Sequence, residues 1–344
     1  MAAKRNPRRE WLEGAGLRLF LAALRPWPIG VVSGFGAALG RIARRFAGHK
    51  RDRLRANLAY LRPDAEGPEL DRLERLAWEN LGRIIAEYAV LHRMIPSGRV
   101  DVVNIQPSLD AISEGKRILM VSLHLAHFEL APIMSAGWGA PTPVFFKPPN
   151  NRHISDILTR IRNGAGVNRF AKNTTGTREA LTHFAQPGAR LGMLMDERLS
   201  GWIMVPSFGH RRMRSSALHS VIRISQREPC VVLPARMKRL NGARFELVLD
   251  DPIEPRNTGD PDADEAWLAD RVDAVAERWV RETPEQWVWL QFWGRPQQPG
   301  RTSGAGGLHQ PVPAAGSPRP GSAAVAEPQN DGGDDARQDR RDRQ

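Results

Sequence analysis

From residue 116 onward, short apolar runs of strand-forming residues alternate with amphipathic helical stretches, and this alternation leaves few folds open to the chain. Strands are predicted at 117–123, 143–146, 167–170, 191–195, 230–235 and 245–249. Helices are predicted at 151–162, 176–186, 214–227 and 263–282. Such alternation implies an α/β fold with a mostly parallel central sheet flanked by helices. Upstream, 51–95 reads as helical, with Leu54, Leu58 and Leu61 and then Leu70, Leu73, Leu76, Leu81, Ile84 and Ile85 on a helical period. Pro63 and Gly67-Pro68 break that stretch into two helices. With 41% hydrophobic residues the chain can bury a sizeable core, which excludes disorder throughout.

Charge divides the sequence. Residues 1–62 carry 14 Lys/Arg and 3 Asp/Glu, a net of +11. Residues 63–295 carry 30 and 29, and residues 296–344 carry 6 and 6. The basic character is therefore N-terminal, which disfavours a long nucleic-acid groove and favours an arm that meets something anionic. The last segment has 7 Pro and 8 Gly in 49 residues, and no Ile, Phe or Trp, so 296–344 is expected to be a disordered tail. The expected organisation is 1–62 as a basic amphipathic membrane-associating region, 63–295 as the α/β domain, and then the tail. One cysteine, Cys230, excludes a disulfide scaffold and sits in an apolar strand as a small hydrophobe.

The N-terminus starts with Lys4, Arg5, Arg8 and Arg9 like a signal peptide, but Glu10, Glu13 and Arg18 interrupt any apolar core. The longest charge-free run of the N-terminal region, 26–40, has 15 residues with two Pro and four Gly, short of the roughly 20 that a spanning helix needs. Trp11, Leu12, Ala15, Leu19 and Ala22 recur at helical spacing, and Arg41, Arg44, Arg45, Lys50, Arg51, Arg53 and Arg55 follow the run. Apolar faces beside a polybasic stretch suit the surface of an anionic membrane; a core helix followed by a solvated basic helix is the competing reading.

In parallel sheets, ligands bind at the carboxyl ends of strands. Two predicted strands end there in chemistry: 117–123 leads into His124, His127 and Glu129, and 191–195 leads into Asp196, Glu197 and Arg198. An imidazole can take a proton from an attacking hydroxyl, and a carboxylate can hold the ring in the required tautomer. Residues five apart stand about 140° round a helix. His124 and Glu129 therefore meet only if His124 precedes a helix that holds Glu129. Taken alone, H-x4-E also describes a structural histidine. The sequence lacks G-x-S-x-G, G-x4-G-K-[ST] and H-E-x-x-H, and no third-ligand pattern accompanies His124 and His127.

Five blocks in order resemble the late acyltransferases of bacterial lipid A biosynthesis (the lauroyl and myristoyl transferases), a wider group that includes the phosphatidylinositol mannoside acyltransferases. They are ENLGRIIAEYA (79–89), SLHLAHFEL (122–130), FKPPNNRHISDILTRIRNGAG (146–166), LGMLMDERLSGWIMVPSFG (191–209) and PEQWVWLQFWGR (284–295). Ala126-His127-Phe128 stands where the family usually has Gly-Asn-Trp, and Gln291-Phe292-Trp293 where it usually has basic residues.

The resemblance implies a glycerolipid-acyltransferase-like fold. It also implies acyl transfer from an acyl-carrier-protein thioester to a hydroxyl of a lipid A precursor, with no cofactor, no metal and no acyl-enzyme. Carried onto this chain, His124 is the general base and Glu129 orients it. Arg160 or Arg162 binds phosphate or steadies the oxyanion, with Arg160 favoured, and Asp196 shapes the site. Arg160 as a solvated helix charge and Asp196 as a helix cap are the bland alternatives. The implied partners are acyl carrier protein, a glycolipid acceptor and an anionic membrane surface, with no nucleic acid. The implied location is the cytoplasmic face of the inner membrane, peripheral or monotopic. The competing functions are transfer from acyl-CoA to another glycolipid or a lysophospholipid, thioester hydrolysis, and non-catalytic membrane or nucleic-acid binding through the basic arm.

Overall fold

The computed structural model describes residues 6–137, 141–196, 205–208 and 216–293, with the backbone of 198–199 and 202–203. The expectations for Glu197 and for the tail 296–344 lie outside the described residues.

Four helices and a short turn of helix come first: α1 (Pro7–Leu24), α2 (Ile29–Arg45), α3 (His49–Leu61), α4 (Gly67–Glu87) and α5 (Leu91–Met94). The α/β part follows as β1 (Val100–Val103), α6 (Gln106–Ser113), β2 (Arg117–Ser122), α7 (Leu130–Gly137), β3 (Val144–Phe146), α8 (Arg152–Gly164), β4 (Arg169–Ala171), α9 (Thr174–Phe184) and β5 (Arg190–Leu194). Two short strands, β6 (Arg198–Leu199) and β7 (Trp202–Ile203), pair with each other. The chain then continues through α10 (Ser216–Arg227), β8 (Cys230–Asn241), β9 (Arg244–Leu249) and α11 (Pro261–Glu282). Asn6, Asn151, Asn173 and Asp260 cap α1, α8, α9 and α11 by accepting backbone N–H groups.

The main sheet runs β1-β9-β8-β2-β5-β3-β4. Strands β8, β2, β5, β3 and β4 are parallel, whereas β9 returns antiparallel beside β8 and β1 lies parallel to β9. The mostly parallel sheet flanked by helices is thus as the alternation implies, and each of the six predicted strands and four predicted helices is present to within a few residues. The exception is the length of β8, which runs on past 235 to the β8–β9 turn, where Gly242 takes a positive φ of 55°. β1 was not foreseen: four residues with an alternating burial pattern give too short a signal.

Side chains alternate across the strands, so the core divides over the two faces. One face carries Leu119, Val121, Leu191 and Met193 against α9, α10 and α11. The other carries Ile118, Val231 and Leu233 against α7 and α8.

The helices before residue 62 belong to the same compact unit as the sheet. Helix α2 lies against α4 with almost no side chain between them: a Cβ on Gly82 would fall 2.1 Å from the Gly36 carbonyl oxygen, and one on Gly40 2.1 Å from that of Trp78. Glycine at these three positions is therefore a packing requirement. Leu54, Leu58 and Leu61 bury the α3 face in the core, and Asn57 Nδ2 donates to the Leu290 and Trp293 carbonyls at 2.7 and 2.8 Å.

The basic stretch from Arg41 to Arg55, at the end of α2 and the start of α3, is partly spent internally. Arg44, Arg51 and Arg55 all reach the fully buried carboxylate of Glu74 in α4, and Arg41 pairs with Glu79. It is not a free polybasic face, because a buried carboxylate demands partners. Arg45 and Arg53 stay exposed, and so do apolar residues: Val31, Phe35, Leu39, Ile42 and Phe46 form a stripe along α2, and Trp11, Leu12, Leu19 and Trp27 are exposed too. Among the described residues no helix is long and apolar enough to cross a membrane.

Candidate active site

The site arises from strand order. β2 and β5 are neighbours in register, with Ser122 opposite Leu194. Two residues further along each strand, His124 and Asp196 stand side by side at the carboxyl rim. The Met195 N–H donates to the Ser122 carbonyl at 2.8 Å, which extends the pairing to the rim. His124 Nδ1 lies 2.8 Å from Asp196 Oδ1, and the His124 backbone N–H donates to Oδ2 at 2.9 Å. The Trp287 indole N–H donates to the same Oδ2 at 2.8 Å. Asp196 has no solvent exposure, so a carboxylate there requires this set of donors.

The Trp289 indole nitrogen also lies 3.1 Å from His124 Nδ1. One nitrogen cannot both donate to Asp196 and accept from Trp289. The shorter, charge-assisted contact to a buried carboxylate decides, so Nδ1 carries the proton and Nε2 keeps its lone pair. Trp289 then meets the imidazole edge-on, with ring centroids 5.2 Å apart, and Phe128 flanks it at 4.6 Å.

The segment that supplies the tryptophans clamps the turn that holds His124. Val288 N–H donates to the His124 carbonyl at 3.0 Å, and Ala126 N–H to the Gln286 carbonyl at 3.0 Å. Gln286 is itself buried and bonds the β8 backbone at Arg239 in both directions, through Oε1 at 2.8 Å and Nε2 at 2.9 Å. Ala126 adopts a φ of 47° where the related pattern has glycine, a conformation this clamp holds against its steric cost.

Glu129 does not reach His124. Its carboxylate takes the Arg162 guanidinium in two contacts, one of them Nε to Oε2 at 2.8 Å, and the Tyr88 hydroxyl at 2.9 Å. The expectation that Glu129 orients His124 therefore gives way to Asp196, because Glu129 already has a buried arginine to neutralise. Burial pushes the Glu129 carboxyl up, but the Arg162 and Tyr88 bonds outweigh it and hold the group below its ordinary value. Burial also pushes the Tyr88 hydroxyl well up, reinforced by the Glu129 charge. Arg162 stacks over Phe146 with its guanidinium carbon 4.3 Å from the ring centroid, and its Nη1 is buried without a hydrogen-bond partner. Arg160, favoured from the sequence, is exposed on α8 and does not line the site; Arg162 does.

Next to this pair lies His127, fully buried, with neither ring nitrogen hydrogen-bonded. Burial pushes it down to about 4 despite the nearby Glu87 carboxylate, so it is a neutral imidazole at neutral pH. Cys230 carries a thiol pushed up to about 12 by burial, which leaves it inert. Among the described residues no cluster of His, Cys, Asp or Glu is arranged to hold a metal ion.

His124, Glu129, Arg162 and Trp289 open onto one cavity of about 700 Å³, with Met120, Val144 and Leu194 on its walls. A base at the mouth of a large apolar cavity, with a buried cation beside it, suits chemistry on a substrate with a long hydrocarbon part. Tyr88, Trp287, Trp289 and Gln286 were not singled out as site residues from the sequence. Their signal was present only as membership of the 79–89 and 284–295 blocks.

The curated lipid A biosynthesis lauroyltransferase of Escherichia coli (strain K12) is 24% identical over 301 residues, covering 84% of this chain and 94% of that protein. The crystal structure of the 1-acyl-sn-glycerophosphate acyltransferase PlsC from Thermotoga maritima aligns with 78% of this chain and 97% of its own, at 11% identity and a TM-score of 0.34. The sequence model of bacterial lipid A biosynthesis acyltransferases matches residues 3–292. That match runs from the first helix to the tryptophan segment that clamps His124, and so takes in every part of the site. The chain belongs to the bacterial lipid A biosynthesis acyltransferase family.

Proposed function

We propose that the protein transfers a fatty acyl chain from an acyl-carrier-protein thioester to a hydroxyl of a lipid A precursor, with His124 as general base. The observation that carries this reading is the His124–Asp196 contact of 2.8 Å at the mouth of the apolar cavity. With the proton on Nδ1 held by Asp196, Nε2 takes the proton of the acceptor hydroxyl as its oxygen attacks the thioester carbonyl carbon. The tetrahedral intermediate collapses by breaking the C–S bond. The imidazolium returns the proton to the leaving thiolate, and the products are an ester and a free thiol. Arg162, positive and with an unengaged Nη1, is suited to the developing oxyanion or to a phosphate of either substrate. No acyl-enzyme is needed.

The exposed apolar stripe of α2, with Trp11, Leu12, Leu19 and Trp27, supports a peripheral position in a membrane interface. There the acceptor lipid is at hand, on the cytoplasmic face of the inner membrane, where a soluble carrier protein can reach the site. The test is incubation of detergent-solubilised wild type and His124→Ala with a mixture of acyl-carrier-protein thioesters and a lipid A precursor, followed by product masses. A gain of one acyl chain with wild type alone is expected. Equal gain in both proteins removes His124 from the mechanism, and free fatty acid without ester assigns hydrolysis.

A further inference from the structure

Central strands of a covered sheet are normally buried on both faces. Here one face of β2 is not: along Met120, Val121, Ser122, Leu123 and His124, every second residue is partly exposed and those between are buried. The exposed set points toward α7 and α8. On the neighbouring strands Gly192 pairs with Met120, and Val144 pairs with Gly192, so Met120, Gly192 and Val144 form one row across β2, β5 and β3. All three line the cavity, and so do Ala131 and Pro132 of α7. One pair further from the rim the opening stops, because Ile118 is 2% exposed and part of the core. Gly192 keeps the row open: a Cβ there would come within 2.9 Å of Val144 Cγ1.

The cavity thus has an apolar lobe that runs down the sheet from His124 and ends at a floor. Met120 is four residues from His124, and at about 3.3 Å per strand residue the floor lies roughly 13 Å below the rim. Carbon–carbon bonds of about 1.5 Å advance a zigzag chain by roughly 1.3 Å per carbon, so the lobe holds about ten carbons.

Resting on the acyl-transfer reading above, we infer that Met120, with Gly192 and Val144 beside it in a cavity that Ala131 also lines, forms the floor that selects acyl chain length. The lobe takes the saturated hydrocarbon of the donor, the thioester carbonyl staying at His124. Trimming Met120 deepens it and bulk at Ala131 shortens it.

The experiment compares wild type, Met120→Ala and Ala131→Phe in two measurements. The first is the affinity of each for a homologous series of saturated fatty acids that spans the floor length. Affinity should rise about fourfold per methylene and level off once the floor is reached. The break should move to longer chains, by about two or three carbons, in Met120→Ala, and to shorter chains in Ala131→Phe. The second measurement is the distribution of product masses when a mixture of acyl-carrier-protein thioesters competes for the acceptor, where the optimum should shift the same way. A break and an optimum unmoved in the variants overturn the proposal while leaving acyl transfer standing. No ester product from wild type, with a break that still moves, overturns acyl transfer and leaves the lobe's floor standing. Met120→Ala alone suffices if the bulkier variant does not fold.

Discussion

Asp196→Asn separates the two carboxylates that compete for the role of orienting His124. The substitution keeps size and burial. The amide oxygen can still accept from the His124 backbone N–H and the Trp287 indole, now at 2.9 and 2.8 Å. Its NH2 then faces Nδ1, and two donors cannot meet there. The imidazole must place its proton on Nε2, which leaves no lone pair for the acceptor hydroxyl. The fold should lose only about 1.5–3 kcal/mol from the weakened charge-assisted bonds, while kcat should fall about 10²- to 10⁴-fold with KM little changed. Nitrogen-15 NMR of labelled histidine should show the proton moved from Nδ1 to Nε2.

Glu129→Gln should behave in the opposite way. It leaves the buried Arg162 guanidinium without its counter-charge, a loss of about 3–5 kcal/mol that a thermal melt reads as a drop of roughly 10 °C, and the His124 tautomer should not move. The assay is acyl transfer from a carrier thioester beside a melt of each variant. If Asp196→Asn transfers at the wild-type rate while Glu129→Gln shows the changed tautomer, the orienting role passes to Glu129 and the reasoning from the 2.8 Å contact fails.

Gly82→Ala pushes a methyl to 2.1 Å from the Gly36 carbonyl oxygen, and overpacking of this kind should cost about 3 kcal/mol, seen as a lower urea midpoint; an unchanged midpoint would mean the α2–α4 contact yields freely. Phe35→Glu with Ile42→Glu, both on the exposed stripe, should weaken sedimentation with anionic vesicles at least about a hundredfold with unchanged far-UV circular dichroism, and full retention would place the membrane contact elsewhere. His127, pushed down to about 4 by burial, is ordinarily near 6.5 when unfolded. The unfolded chain therefore binds more protons between those values. Stability should be intact above about pH 6.5 and fall by up to about 3 kcal/mol toward pH 4. His127→Gln should flatten that limb in urea titrations at pH 7 and pH 4.5, and an identical slope in both proteins would refute it.

Local pattern carried the architecture because the alternation of β-type runs and amphipathic helices is a property of neighbouring residues. The caps that Asn151 and Asp260 form in the structure are local in the same way, each accepting N–H groups two or three residues on. His124 and Asp196 were also legible, as chemistry placed at the ends of strands, and Arg162 through the resemblance of its 146–166 block. Which groups touch was not. The resemblance gave the orienting role to Glu129, five residues from His124, and not to Asp196, 72 residues away. Only the adjacency of β2 and β5 brings Asp196 to the ring. The buried charge of Arg162, which one helical residue pattern cannot distinguish from exposed Arg160, is what claims Glu129.

The basic N-terminal stretch shows the same limit. Its composition reads as free positive charge, but Glu74 is buried in α4 only once α2, α3 and α4 pack, and a buried carboxylate then collects Arg44, Arg51 and Arg55. The sequence by itself determined the elements and the kind of chemistry at the sheet rim, because hydrophobic periodicity and residue type act locally. The tertiary structure decided the partners, since hydrogen bonds and ion pairs in a dry interior are set by strand order and by which charges burial leaves together.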